Sequence, residues 1–143
     1  MKKLSLLLSS LLFAAAMKAA PVPNVTPSEA AKLVAEGKAV LVDVREPKEW
    51  KDTGVATPAT LLAKSDFDGA QASWKPFLET HRDKTLILYC RSGKRSGAVA
   101  KELAEKGYNV ANAGGFEAWK SAGLPTRAAE EPAPAASAAS NKL

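Results

Sequence analysis

The clearest secondary-structure pattern in this chain lies in the segment TLILYCRSGKRSGAVAKELAEKG, residues 85–107. Thr85–Tyr89 is an apolar run with the length and composition of a strand that is buried on both faces. Ser96–Lys106 is expected to be a helix, because Val99 and Leu103 lie one turn apart on the same helical face. The pattern therefore predicts a strand, a tight loop that begins at a cysteine, and a helix in direct succession.

Helix and strand patterns also alternate upstream of this segment. Thr26–Glu29 forms a capping box with Pro27 at the first helical position, which predicts a short helix. Ala39–Val44 is a second apolar run of strand length. We expect a single helical turn at Pro47–Asp52 and a loop over Thr53–Thr60, which contains glycine and proline.

The same alternation continues through the rest of the chain. Trp74, Phe77 and Leu78 have helical spacing, although a proline between them limits the helix. Gly114–Gly115 marks a turn, and Phe116–Ser121 is predicted as a last short helix. Strands that alternate with helices pair mostly in parallel. The sequence therefore predicts an α/β fold with a mostly parallel central sheet and helices on both faces.

The two ends of the chain differ in composition from the part between them. Residues 1–20 combine a basic start, an apolar run and small residues, as in a secretory signal peptide. The apolar run is shorter than the about 20 residues that a spanning helix needs. We therefore expect a periplasmic or secreted protein with no stable membrane anchor after cleavage. Residues 128–143 are rich in Ala, Pro and Ser and are predicted to form a disordered tail.

Charge and cysteine content narrow the classes of function. The formal net charge is +5, but three of the basic residues lie in the predicted signal peptide. Three others, Arg91, Lys94 and Arg95, lie within five residues of one another. This clustering indicates a small local anion site rather than a nucleic-acid-binding face, so no nucleic-acid partner is expected. The single cysteine excludes an intrachain disulfide scaffold.

The loop CRSGKRS, residues 90–96, carries the chemistry. A loop that turns from a strand into a helix points backbone N–H groups and the positive end of the helix towards one centre. Such surroundings lower the pKa of a cysteine from about 8.5. We therefore expect Cys90 to be a thiolate nucleophile for an anionic substrate, rather than an inert core cysteine. The residues expected to bind that substrate are Arg91, Ser92, Gly93, Lys94, Arg95 and Ser96.

Three motifs together resemble the rhodanese family of sulfurtransferases. They are CRSGKR at 90–95, VDVREPKEW at 42–50 and NAGGFEAWKSAGLP at 112–125. The resemblance extends over residues 26–127, which we interpret as a rhodanese-like domain. It departs from the family at TGVATPA, residues 53–59, where the family commonly has a Gly-His-Ile-x-Gly-Ala stretch.

The resemblance implies a ping-pong transfer of sulfane sulfur. Thiosulfate would donate sulfur to Cys90, and the resulting persulfide would pass it to cyanide or to a thiol, with no metal and no organic cofactor. Arg95, the sixth loop residue, is expected to contact the leaving sulfite. Arg45 and Glu49 are expected to form a structural ion pair, as in the family. Asp43 lies at a strand end and is a candidate for a supporting role near the loop.

Two other functions remain open. A cysteine-dependent phosphatase or an arsenate reductase also uses a thiolate in an anion-binding loop. The phosphatase spacing C-x5-R, however, requires arginine at position 96, where this chain has Ser96. The second alternative is a persulfide carrier or protein-interaction module that hands sulfur to a partner protein.

Overall fold

The computed structural model describes residues 21–130. The predicted signal peptide, residues 1–20, lies outside the described residues, as do residues 131–143 of the predicted tail. The boundaries of the 26–127 domain stay a prediction. Within the described range, no helix is both long enough and apolar enough to cross a membrane.

Helices and strands alternate through the described part of the chain, as the sequence predicts. In chain order they are α1 (Pro27–Ala35), β1 (Ala39–Asp43), α2 (Pro47–Thr53), β2 (Val55–Ala56), β3 (Thr60–Leu61), α3 (Lys64–Asp68), α4 (Trp74–Thr80), β4 (Thr85–Cys90), α5 (Lys94–Glu105), β5 (Val110–Gly115), α6 (Phe116–Ser121) and β6 (Thr126–Arg127).

The central sheet has four strands in the order β3-β1-β4-β5, and all neighbouring strands are parallel. The apolar strands β1 and β4 occupy its middle, and Asp43 pairs with Tyr89 at their carboxyl ends. A separate antiparallel pair is formed by β2 and β6. The predicted α/β fold with a mostly parallel sheet is confirmed. The loop after β4 consequently lies at the carboxyl edge, where open parallel sheets bind ligands.

Alternate residues of β4 face two different layers of core. Leu86 and Leu88 pack with the apolar residues of α3, α4 and α5, whereas Ile87 and Tyr89 pack with those of α1 and α6. All four side chains are buried. This alternation explains why the strand is apolar throughout, because each face of the sheet is covered by helices.

The start of α1 shows how closely local sequence sets an element boundary. The Thr26 hydroxyl accepts a hydrogen bond from the Glu29 backbone N–H at 3.2 Å, and the Glu29 carboxylate accepts from the Thr26 N–H at 2.8 Å. This reciprocal pair satisfies two donors that a helix start otherwise leaves free. The predicted capping box is confirmed.

Three predictions of local structure need correction. The pair Gly114–Gly115, predicted to mark a turn, forms the last two residues of β5. The helix predicted to begin at Ser96 begins two residues earlier, at Lys94. The segment Thr53–Thr60, expected to be a loop, contains β2 and the first residue of β3. These strands are two residues long and are defined by pairing with β6 and β1, which lie far away in sequence. A local pattern cannot report such pairing.

Candidate active site

Cys90 is the last residue of β4 and is completely buried, with 0% of its surface exposed. The backbone N–H of Gly93 donates a hydrogen bond to its Sγ atom at 3.0 Å. The hydroxyl oxygen of Ser96, in the first turn of α5, lies 3.4 Å from the same sulfur. The loop therefore curls around the sulfur, as expected for a strand that turns directly into a helix.

These surroundings act on the ionisation of Cys90 in opposite directions. Burial alone raises the pKa of the thiol, because it removes water from the thiolate. The Ser96 hydroxyl and the backbone N–H groups of Ser96, Ser92 and Gly93 stabilise the thiolate, and together they bring the pKa below its usual range. The site thus favours the nucleophilic form of the sulfur.

The tight loop requires glycine at position 93. Gly93 has a φ of 92°, which is the left-handed region that residues with a Cβ atom rarely adopt. A Cβ atom there would also lie 3.2 Å from the Cα atom of Gly114. Backbone conformation and close packing therefore both favour glycine at the position whose N–H reaches Sγ.

The three cations of the loop have different surroundings. Arg91 and Lys94 are exposed. Arg95 is half-buried and donates two hydrogen bonds, both of 2.7 Å, to the carboxylate of Glu49 in α2. This bidentate pair holds the pKa of Glu49 down at about 2. Arg95 is therefore a paired charge in this structure, which its loop position alone did not predict.

The expected ion pair between Arg45 and Glu49 is wrong in its partners. Arg45 is buried and donates from Nε and Nη2 to Asp43, with the shortest N–O distance 2.7 Å. Nη1 donates to the Thr53 hydroxyl, and Nη2 also donates to the Gly54 carbonyl, each at 2.8 Å. Arg45 is thus paired with the buried carboxylate of Asp43 at the end of β1. Glu49 is paired with Arg95 instead.

Asp43 is linked to the site only through other side chains. Its carboxylate is fully buried and bound by Arg45, and it contacts the Tyr89 side chain on the neighbouring strand. Through Arg45 it fixes the end of α2, and α2 carries Glu49, which holds Arg95. A supporting role for Asp43 would run through this chain of contacts rather than through the sulfur.

Two residues of β5 complete the loop, and sequence reasoning gave neither of them a role. The Asn112 side chain donates to the Gly93 carbonyl at 3.0 Å and lies 2.8 Å from the Ser96 hydroxyl oxygen. Gly115 packs so closely that a Cβ atom there would overlap the Arg91 carbonyl oxygen. In the sequence, these positions are marked only by the polar Asn112 and by the Gly114–Gly115 pair. Both lie in β5, which pairs with the strand that ends at Cys90.

A cavity of about 310 Å³ opens beside the loop. Its walls combine acidic, basic and aromatic side chains, and are formed by Arg45, Glu49, Asp52, Thr53, Arg91, Phe116 and Glu117. A larger apolar cavity of about 500 Å³ lies elsewhere, beside the N-terminal ends of β4 and β5. Its lining holds no charged side chain, whereas the cavity beside the loop is lined in part by Arg45, Glu49 and Arg91. Within residues 21–130, no group of three His, Cys, Asp or Glu residues could hold a metal ion.

Comparison with known proteins gives the family. The model of the rhodanese-like domain matches residues 26–122. The chain therefore belongs to the rhodanese-like domain family, which confirms the resemblance drawn from its three motifs.

Curated relatives agree with this assignment. Thiosulfate sulfurtransferase GlpE of Actinobacillus succinogenes is 34% identical over 109 residues, which cover 74% of this chain and 91% of that protein. The uncharacterized protein slr1261 of Synechocystis is 36% identical over 105 residues, and the match spans only 55% of its length.

Solved structures share the fold. Human single-domain sulfurtransferase TSTD1 superposes with a TM-score of 0.56 at 29% identity, over 70% of this chain and 96% of that one. RPA3614 of Rhodopseudomonas palustris, described as a possible tyrosine phosphatase, gives 0.62 at 28% identity, over 74% and 85%. The named sulfurtransferases among these relatives support a sulfurtransferase activity in general.

Proposed function

We propose that this protein is a thiosulfate sulfurtransferase in which Cys90 carries the transferred sulfur as a persulfide. The observation that supports this most strongly is the surroundings of Sγ, where N–H groups and a hydroxyl converge on a buried sulfur. An anionic sulfur needs such donors both as the attacking thiolate and as the persulfide.

The reaction consists of two displacements. The Cys90 thiolate attacks the outer sulfur of thiosulfate, the S–S bond of thiosulfate breaks, and sulfite leaves with the bonding electron pair. The new persulfide keeps one negative charge, which the N–H groups of residues 91–96 stabilise. Cyanide or a thiolate then attacks the outer sulfur, and Cys90 is released as a thiolate. No proton has to be gained or lost at the sulfur in either step.

The cations have separate tasks in this proposal. Arg91 and Lys94 are exposed and would attract the thiosulfate dianion to the loop. Arg95 uses two donors for Glu49, and its guanidinium has three further N–H groups that can contact the leaving sulfite. Thiosulfate would therefore meet the exposed cations of the loop first and then the paired Arg95 in the first turn of α5.

The phosphatase alternative lacks a residue that it needs. In the C-x5-R spacing, position 96 would hold an arginine that binds the phosphoryl group. Here Ser96 is buried, and its hydroxyl lies within hydrogen-bonding distance of Asn112. The site consequently holds a small hydroxyl against the sulfur where a phosphatase would need a long cation.

A side-by-side assay tests this proposal. The purified chain is expected to form thiocyanate from thiosulfate and cyanide with ping-pong kinetics, and to leave an aryl phosphate unhydrolysed. Hydrolysis of the phosphate without thiocyanate formation would favour the phosphatase. If sulfur is loaded on Cys90 but is released only to a protein thiol, the persulfide-carrier alternative is correct. We also propose that this chemistry takes place in the periplasm or outside the cell.

A further inference from the structure

The side chain of Asn112 lies between the two groups that contact the candidate nucleophile. Its Nδ2 donates to the carbonyl of Gly93 at 3.0 Å, and its Oδ1 accepts from the Gly114 N–H at 3.1 Å. The same Oδ1 lies 2.8 Å from the Ser96 hydroxyl oxygen. Gly93 and Ser96 both contact Cys90 Sγ, so one amide touches both neighbours of the sulfur.

The backbone holds this amide firmly in place. The N–H of Asn112 donates to the Pro23 carbonyl at 2.9 Å, and its own carbonyl accepts from the Val25 N–H at 3.0 Å. On the other side, a Cβ atom at position 97 would come within 3.2 Å of Nδ2, so Gly97 leaves room for the amide. Asn112 is thus fixed at both its backbone and its side chain.

The Ser96 hydroxyl has two acceptors and one proton. It lies 2.8 Å from Asn112 Oδ1 and 3.4 Å from Cys90 Sγ. A hydroxyl donates only one hydrogen bond at a time. The thiolate is the stronger acceptor because it is charged, whereas the same sulfur in a persulfide has lost its charge to the outer sulfur.

We propose that Asn112 is a positioning residue for Cys90, which fixes the Gly93 peptide and accepts the Ser96 hydroxyl whenever Sγ is uncharged. This inference rests on the proposed function. In the thiolate form, Ser96 donates to the sulfur. In the persulfide form, the hydroxyl returns to Asn112, so that no buried donor is left unsatisfied as the charge moves outward.

An amide is suited to this position because it combines a donor with an acceptor. A carboxylate would place a negative charge one hydroxyl away from Sγ and would repel the Gly93 carbonyl. An alanine would leave both Gly93 and Ser96 without this partner. Asparagine satisfies both groups without adding charge.

The charged groups around Cys90 come from three elements. Arg91, Lys94 and Arg95 lie in the loop and the first turn of α5, and Glu49 of α2 is paired with Arg95. Asp43 and Arg45 form a buried pair at the end of β1. None of the hydrogen bonds of the Asn112 side chain involves these groups. Neutral substitutions of Asn112 therefore leave these charged pairs in place, whereas an aspartate adds one negative charge.

The test measures the pKa of Cys90 from its rate of alkylation by iodoacetamide as a function of pH, without any sulfur donor. Asn112→Asp is expected to slow alkylation at pH 7 about tenfold, because the added negative charge raises the pKa of the thiol. Asn109→Ala, an exposed asparagine just before β5, is the matched control and is expected to alkylate like the wild type.

A double-mutant cycle with Ser96→Ala and Asn112→Ala separates positioning from general loosening. Loss of the Ser96 hydroxyl is expected to raise the pKa of Cys90 more in the Asn112→Ala background, where that hydroxyl has only the sulfur as acceptor. Additive pKa changes, or an unchanged pKa in Asn112→Asp, would overturn the inference. If Asn112→Ala does not fold, the same cycle is run with Asn112→Ser, whose side chain lacks the amide. Because no donor is present, failure of sulfur transfer would overturn the proposed function and leave this result standing.

Discussion

Glu49→Gln is expected to strengthen thiosulfate binding. In the structure, Glu49 accepts two hydrogen bonds of 2.7 Å from Arg95, which is a cation of the loop that holds the candidate nucleophile. Glutamine keeps the size of the side chain but removes its charge. Arg95 is then free to turn towards an anionic donor, so the KM for thiosulfate falls.

The size of the effect follows from the strength of the pair. The pKa of Glu49 is lowered from 4.5 to about 2, chiefly by its hydrogen bonds from Arg95, so the free energy of this ion pair is at most about 3 kcal/mol. Both side chains are about one-third exposed, at 32% and 30%, so water screens the pair. Partly exposed pairs contribute about 1 kcal/mol. The KM is therefore expected to fall about fivefold.

The assay is steady-state kinetics at fixed cyanide concentration, with Asp52→Asn as the control. Asp52 lies one turn along the same helix and is paired with Lys48 rather than with the loop. Its substitution removes the same charge without releasing Arg95, so a much smaller change in KM is expected. An unchanged KM in Glu49→Gln, or equal changes in both variants, would show that release of Arg95 from Glu49 does not strengthen thiosulfate binding.

The same ion pair makes stability depend on pH. The pKa of Glu49 is depressed in the folded state by the hydrogen bonds from Arg95, so the stabilisation is fully present above pH 4.5. It is lost as the pH falls from 4.5 towards 2. The wild type is expected to exceed Glu49→Gln by about 1 kcal/mol in free energy of unfolding at pH 7. Urea titrations at several pH values should show this difference vanish in acid.

Three other expectations can be tested separately. Gly115→Ala should lower kcat at least tenfold, because its Cβ would press on the Arg91 carbonyl. Gly114→Ala is the control, because a Cβ atom there meets no atom within 4 Å. It should lower the free energy of unfolding by about 1 kcal/mol, because Gly114 has a φ of 80°, and should leave kcat unchanged. Equal losses of kcat in the Gly115 and Gly114 variants would contradict this expectation. Removing the charge of Arg91 or Lys94 should raise the KM for thiosulfate at low salt and leave kcat unchanged, and a salt-independent effect would contradict the rim role. N-terminal sequencing of protein recovered from an exporting bacterium should begin within residues 17–22, whereas full-length protein in the cytosol would argue against export.

Local patterns predicted the elements that carry the nucleophile. The apolar run of β4, the glycine-containing loop and the helical face of α5 are each encoded by residues close in sequence. The same is true of the capping box at α1, which depends on Thr26 and Glu29, three residues apart. Periodicity and capping are short-range, so they can be interpreted without knowledge of the fold.

Side-chain partners were predicted less well, because they depend on how elements pack. Arg45 and Glu49 have the spacing of a helical pair, yet Arg45 lies before α2 and binds Asp43 instead. Glu49 meets Arg95 only because α2 and α5 come together at the sheet edge. Asn112 is linked to Cys90 by the pairing of β4 with β5, with a register shift beyond Leu88 that no local pattern shows.

The central claim is that Cys90 carries sulfur, and mass spectrometry of the intact chain tests it most directly. After treatment with thiosulfate and removal of excess reagent, one added sulfur atom is expected on Cys90. Cyanide should then remove it. Cys90→Ser, which preserves the size of the buried side chain closely, should fold and gain no sulfur. Sulfur on the serine variant, or a wild-type chain that gains none, would contradict the account.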